Sequence, residues 1–69
     1  MITETDVLNF NPRLSPAVVA ELANEIKACD VPIRSCDPVQ GWESHPIVSQ
    51  FLHLKDREIA AAIDLANRA

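Results

Sequence analysis

The side chains with the chemistry to bind a metal in this sequence are two cysteines and two histidines. Six residues separate Cys29 from Cys36, and seven separate His45 from His53. Structural zinc sites usually place two cysteines two to four residues apart, so that one tight turn aims both sulfurs at the ion. The spacing therefore favours free thiols over a metal site, and we expect no metal, no cofactor and no disulfide in a reducing compartment.

A second group of residues has the types needed for nucleophilic catalysis. Cys36, Asp37 and His45 could supply a thiol, an orienting carboxylate and a base. Such a set works only where the fold holds the base against the nucleophile inside a cleft. The two helices and one loop predicted below offer no cleft of that kind. We therefore expect that the protein is not an enzyme.

The bulk properties limit the fold and the partners. A chain of 69 residues forms a single domain, residues 1–69, and buries only about 60% of the surface that its unfolded form exposes. Its aliphatic composition, with 48% hydrophobic but only 4% aromatic residues, predicts a thin core that a second chain would have to complete. The net charge of −4 argues against direct nucleic-acid binding, which needs clustered lysine and arginine.

The first residues, MITETDVLNF, carry acids where a signal peptide carries positive charge. No apolar run has the length needed to cross a bilayer. These features predict a cytoplasmic protein without a membrane segment.

The elements that must position these side chains are two helices. Residues 1–13 look like an extended arm, closed by the turn at Asn11-Pro12. A helix is predicted over 15–30, where Ser15 suits the N-cap and Pro16 the first helical position. Its apolar residues form one narrow stripe with a 3.6-residue period.

A proline-rich connection over 31–43 and a second helix over 44–68 complete the predicted fold. On a helical wheel the apolar residues of this second helix cover about half the circumference, more than the first helix can bury. The fold predicted is therefore an all-α helical hairpin with an extended N-terminal arm, which forms a homodimer through the second helix. The residues expected at that interface are Phe51, Leu52, Leu54, Ile59, Ile63 and Leu65.

Four side chains are candidates for contact with another protein. Trp42 lies in the connection beside the chain's only glycine, and tryptophan and arginine are enriched at binding hot spots. Arg34 lies on the same connection, and Phe10 and Arg13 lie on the arm. The alternative for Trp42 is structural, because its ring could fold over the helix pair and seal the core.

Three functional classes stay open from the residues alone. The first is a protein that inhibits another protein by binding it. The second is a small DNA-binding or antitoxin-like regulator, although the predicted helices lack the basic side chains that contact phosphates and base edges. The third is a subunit of a larger assembly, in which a different chain would cover the apolar face.

The whole chain, by its arm TDVLNFNPRLSP, its helix AVVAELANEIKACD, its loop GWESHP and its final helix EIAAAIDLANRA, resembles the anti-quorum-sensing proteins of Mu-like Pseudomonas phages. The resemblance implies a helical dimer in the host cytoplasm that binds a LasR-type quorum-sensing activator and blocks its DNA binding. It further implies a second target, the type IV pilus assembly ATPase, whose inhibition would exclude superinfecting phages. No binding residues are implied position by position.

Overall fold

The fold is all-α in a computed structural model that describes residues 1–33 and 39–68. The chain forms α1 (Glu4–Phe10), α2 (Pro16–Ala28), α3 (Val39–Glu43), a 3₁₀ helix (Val48–Phe51) and α4 (Asp56–Arg68). No strand occurs among the described residues. The all-α prediction is confirmed, whereas three of the predicted segments differ from the structure. The simplest of these is the connection predicted over 31–43, whose last residues form α3.

The second difference concerns the N-terminal arm, which is helical and not extended. The Thr3 hydroxyl accepts a hydrogen bond from the Asp6 N–H at 3.2 Å, and the Asp6 carboxylate accepts one from the Thr3 N–H at 2.9 Å. This reciprocal pair is a capping box, which satisfies two backbone donors at the start of a helix. It outweighs the weak preference of the threonines for extended backbone.

The third difference concerns the predicted helix over 44–68, which is interrupted. A 3₁₀ helix ends at Phe51, and α4 begins only at Asp56. The rings of Phe51 and His53 stack with centroids 6.3 Å apart. Residues two apart lie on different faces of an α-helix, so this contact is incompatible with a continuous helix.

One apolar core joins the helices. Helix α2 packs along α4, and α1 packs on α2. The side chains without measurable exposure include Val7 from α1, Val19 and Leu22 from α2, and Ile63 from α4. The apolar arc expected to need a second chain is therefore buried by the chain itself.

The total surface leads to the same conclusion. The accessible surface is 4284 Å² for a mass of 7.6 kDa. A folded monomer of that mass exposes about 4,300 Å². The exposed surface is thus no larger than that of a folded monomer, and the homodimer stays a prediction.

Glu58 ties the start of α2 to the start of α4. One carboxylate oxygen accepts the Ser15 N–H at 3.3 Å, and the other accepts the Lys55 N–H at 3.4 Å. Ser15 and Lys55 directly precede the two helices, where backbone N–H groups lack intrahelical acceptors. A single buried side chain therefore caps two helices that are distant in sequence.

Candidate functional site

An open groove runs between α1 and the C-terminal part of α4. Its volume is about 400 Å³, and it opens to solvent along its length. The groove is lined by Ile2, Asp6, Asn9, Phe10, Leu65 and Arg68. Apolar side chains and three polar ones meet here, which is the composition of a small binding site.

The floor of the groove is fixed by Asn24 of α2. Its side-chain amide accepts the Ile2 N–H at 2.8 Å and donates to the Ile2 carbonyl at 2.7 Å. Both backbone groups of Ile2 are thereby satisfied, and the Ile2 side chain is buried. The segment before α1 is held against α2, so the floor is preformed.

Phe10 and Arg68 form the rim at one end. The Arg68 guanidinium carbon lies 5.1 Å from the centroid of the Phe10 ring, within the range of a cation–π contact. Phe10 is half-buried and Arg68 is exposed. A flat aromatic surface and a cation therefore stand together at the surface.

Asp6 provides the negative charge of the groove. The hydrogen bond from the Thr3 backbone, that from the Thr3 hydroxyl and the positive charge of the N-terminus hold the pKa of Asp6 below its ordinary value. Slight desolvation acts in the opposite direction and is outweighed. Asp6 is consequently an anion at neutral pH.

Trp42 does not protrude from the surface, as a side chain that fills a partner's pocket would. It is 4% exposed and belongs to the core. Its carbonyl accepts the His45 N–H at 3.0 Å. A side chain buried by its own chain cannot fill a partner's pocket without leaving the core, so the structure corrects the anchor interpretation and agrees with the sealing one.

His45 is also internal, with 4% of its surface exposed. Its Nε2 lies 2.8 Å from the Val31 carbonyl, while its Nδ1 accepts N–H groups of Ile47 at 3.1 Å and Val48 at 3.4 Å. Because Nδ1 acts as the acceptor, Nε2 must carry the proton. His45 therefore links the residues that follow α2 to the 3₁₀ helix.

The residues expected at a dimer interface do not form one exposed face. Ile59 and Ile63 are sealed in the core, and Phe51 is buried. Leu54 and Leu65 are half-buried against the core, and Leu52 alone of the six is exposed, at 40%. The interface prediction is therefore wrong for the three buried residues, since a partner cannot reach them.

The remaining candidates are dispersed. Arg13 is exposed and its N–H donates to the Asn11 side chain, but it does not line the groove. Arg34, Cys36 and Asp37 lie outside the described residues, whereas Cys29 is half-buried at the end of α2.

Searches for a metal site and for a membrane span give no candidate in the part of the chain that the structure describes. No three ligating side chains converge there on a point where an ion would fit. Over the same residues, none of the helices combines the length and the apolar character that a bilayer span requires.

Of the groove residues, Phe10 is predicted from the sequence as a partner contact and Leu65 as part of a dimer interface. Asp6 and Asn9 are not predicted, because the N-terminal segment looks extended. Arg68 is not predicted, because only the fold brings it to the Phe10 ring. A signal was present, since Thr3 and Asp6 have the spacing of a capping box. A helix starting there puts Asp6, Asn9 and Phe10 on one face.

Comparisons with known proteins identify no family for this chain. No family model matches the sequence, and neither a curated protein nor a solved structure is significantly similar to it.

Proposed function

We propose that this chain is a small non-enzymatic phage protein that binds and inhibits a host protein. The observation that carries the proposal is the groove between α1 and α4, which the buried Ile2 side chain lines and where the half-buried Phe10 ring lies at the surface beside the Arg68 cation. Preformed apolar clefts with a few polar groups are the usual sites at which proteins bind ligands and partner side chains.

The resemblance to phage anti-quorum-sensing proteins supplies the leading target, a LasR-type transcriptional activator. Binding would block the DNA binding of the activator. The type IV pilus assembly ATPase is the second target under the same proposal. The net charge of −4 supports action on a protein and not on nucleic acid, because an acidic surface repels phosphates.

The proposal includes a homodimer only because the resemblance implies one. Its test is the dependence of the melting temperature on protein concentration, together with light scattering. The melting temperature of a dimer rises with protein concentration. A melting temperature that does not change with concentration, together with the mass of a monomer in light scattering, would contradict the dimer.

The function is tested with a purified LasR-type activator and its promoter DNA. We expect the protein to abolish the mobility shift of the DNA by the activator, without shifting the DNA itself. The variant Phe10→Ala should inhibit at least about tenfold less, since truncation of an aromatic contact residue commonly costs more than 1 kcal/mol of binding.

The matched control is Leu8→Ala, which removes an exposed side chain of the same helix outside the groove. Far-UV circular dichroism establishes that both variants remain folded. Full inhibition by Phe10→Ala would rule out the groove as the inhibitory site. Lack of binding of the wild type to both the activator and the ATPase would refute the proposed targets.

A further inference from the structure

We propose that the groove between α1 and α4 binds an acidic–apolar segment of the partner protein, in which a single carboxylate next to a large apolar side chain pairs with Arg68. This inference rests on the proposed function, because it names the chemistry of the partner at the same site. It commits to a polypeptide segment that carries one acid.

The two walls of the groove present side chains in helical register. Asp6, Asn9 and Phe10 lie three and four residues apart on α1, and Leu65 and Arg68 lie three apart on α4. Residues with these separations share one face of a helix. Ile2, Phe10 and Leu65 give the groove an apolar lining that a leucine-sized side chain can contact.

Arg68 is the part of the groove whose bonding capacity is unused. Its guanidinium contacts the Phe10 ring, but it forms no hydrogen bond and no ion pair with any residue that the structure describes. A guanidinium carries five N–H donors in a planar fork, and a carboxylate accepts two of them in parallel. The contact with the Phe10 ring, at 5.1 Å from the centroid, is a cation–π contact and not a hydrogen bond, so it leaves the acceptors for these donors to a partner.

Asp6 limits the number of acids that the bound segment can carry. Its carboxylate already accepts the Thr3 N–H at 2.9 Å and stays ionised, so it repels a second carboxylate. The complementary segment therefore has one acid, which pairs with Arg68, and its other side chains are neutral or basic.

This charge arrangement does not fit nucleic acid. A bound strand presents successive phosphates, and a protein that binds it needs several cations along its path. The groove offers one cation and one anion. The inference also implies that the activator is contacted away from its basic DNA-binding surface, so inhibition would act through another face.

The probes are two acetylated and amidated tetrapeptides, each with an N-terminal lysine and two central leucines. One ends in glutamate and the other in a second lysine, and their binding to the ¹⁵N-labelled full chain is followed by NMR shifts. We expect the glutamate peptide to perturb Phe10, Leu65 and Arg68 and to bind about tenfold more tightly than the lysine peptide.

Two variants of Arg68 separate charge from apolar contact. Arg68→Gln should reduce affinity for the glutamate peptide about tenfold, and Arg68→Glu should reverse the preference in favour of the lysine peptide. Arg57→Gln is the control, since Arg57 is exposed on the same helix outside the groove. Arg68 is itself exposed, so both variants are expected to stay folded.

The outcomes distinguish this inference from the proposed function. Equal affinity for the two peptides, shifts outside the groove, or no binding of either peptide at millimolar concentration would overturn the acidic–apolar assignment. If the activator is inhibited equally by wild type and Arg68→Gln, the proposed function stands and this inference fails. If the glutamate peptide binds as expected but the activator does not, the groove assignment stands and the proposed target fails.

Discussion

The three-helix region formed by α1, α2 and α4 and the segment over 39–55 are held by different kinds of hydrogen bond. Bonds between residues far apart in the sequence hold the first, and bonds between near neighbours mainly hold the second. In the first region, polar side chains join positions far apart: Asn24 holds Ile2, and Glu58 joins Ser15 to Lys55. These bonds surround side chains that are fully buried. Loss of any one helix would therefore expose the core of the other two.

The segment over 39–55 contains two short helices and depends mainly on bonds between near neighbours. The hydrogen bond from His45 to the Val31 carbonyl joins it to the residues after α2, and Trp42 supplies its largest buried side chain. Such a segment can open without unfolding the remainder, because local openings require less free energy than global ones. The comparison predicts two levels of stability within one small domain.

The largest effect is expected from Leu22→Ala in the three-helix region. Leu22 has no exposed surface, and its truncation should lower the free energy of unfolding by about 2–5 kcal/mol. The whole domain has only about 3–10 kcal/mol at its size, so the variant should be largely unfolded at 37 °C. Urea denaturation followed by far-UV circular dichroism measures the loss.

Leu52→Ala is the control for that measurement, since Leu52 lies in the weaker segment at 40% exposure. Its cost should stay below about 1 kcal/mol. Equal losses in the two variants would show that the buried three-helix core does not dominate the stability.

The same contrast explains how much of the fold the sequence predicts. The start of α2 is visible in Ser15-Pro16, because a cap residue and a first-turn proline are local signals. The break before α4 is not visible, since the residues from Ile47 to Arg68 include neither glycine nor proline. Packing of Phe51 and Trp42 into the core sets that break, and such contacts between distant residues leave no periodic pattern.

The groove shows the same limit from the functional side. Phe10 was identifiable by its type, because aromatic residues are enriched at contact sites. Arg68 was not identifiable, since its significance depends on the Phe10 ring lying 5.1 Å away after 57 intervening residues. Residue type can be read from a sequence, whereas the juxtaposition of two helix ends requires the fold.

A smaller and more local effect is expected from His45→Ala. The change leaves the Val31 carbonyl and the Ile47 and Val48 N–H groups without their partner, at a cost of about 1–3 kcal/mol. In a urea titration of this variant, two transitions are compared. The fluorescence of the chain's only tryptophan, Trp42, should shift to the red at a lower urea concentration than the one at which the helical circular dichroism signal is lost.

His53→Ala is the matched control, because His53 is exposed and contacts only the Phe51 ring. It should leave the fluorescence and circular dichroism transitions close together. If the two transitions coincide in His45→Ala as well, the segment over 39–55 unfolds with the three helices and the proposed two levels of stability do not exist.

The smallest effect is expected from Glu58→Gln, which tests the link between two helix ends. A neutral amide keeps one acceptor but turns an NH₂ group toward the second backbone donor, so about 1 kcal/mol of stability should be lost at pH 7. The measurement is urea denaturation at neutral pH, with the exposed Glu25→Gln as the control on α2.

Acidification distinguishes a charged cap from a merely packed side chain. Burial is the largest influence on Glu58 and raises its pKa, but hydrogen bonds from the Ser15 hydroxyl and N–H and from the Lys55 N–H, with the charge of Arg57, bring the pKa below the ordinary 4.5. A carboxyl group whose pKa is lower in the folded than in the unfolded state stabilises the folded state at pH values above its unfolded-state pKa. That stabilisation is lost as the pH falls through its folded-state pKa. The wild type should therefore lose its advantage over Glu58→Gln progressively below about pH 4.5, because the protonated acid no longer differs in charge from the amide. A difference that stays constant from pH 7 to pH 3 would mean that shape and not charge joins the two helices.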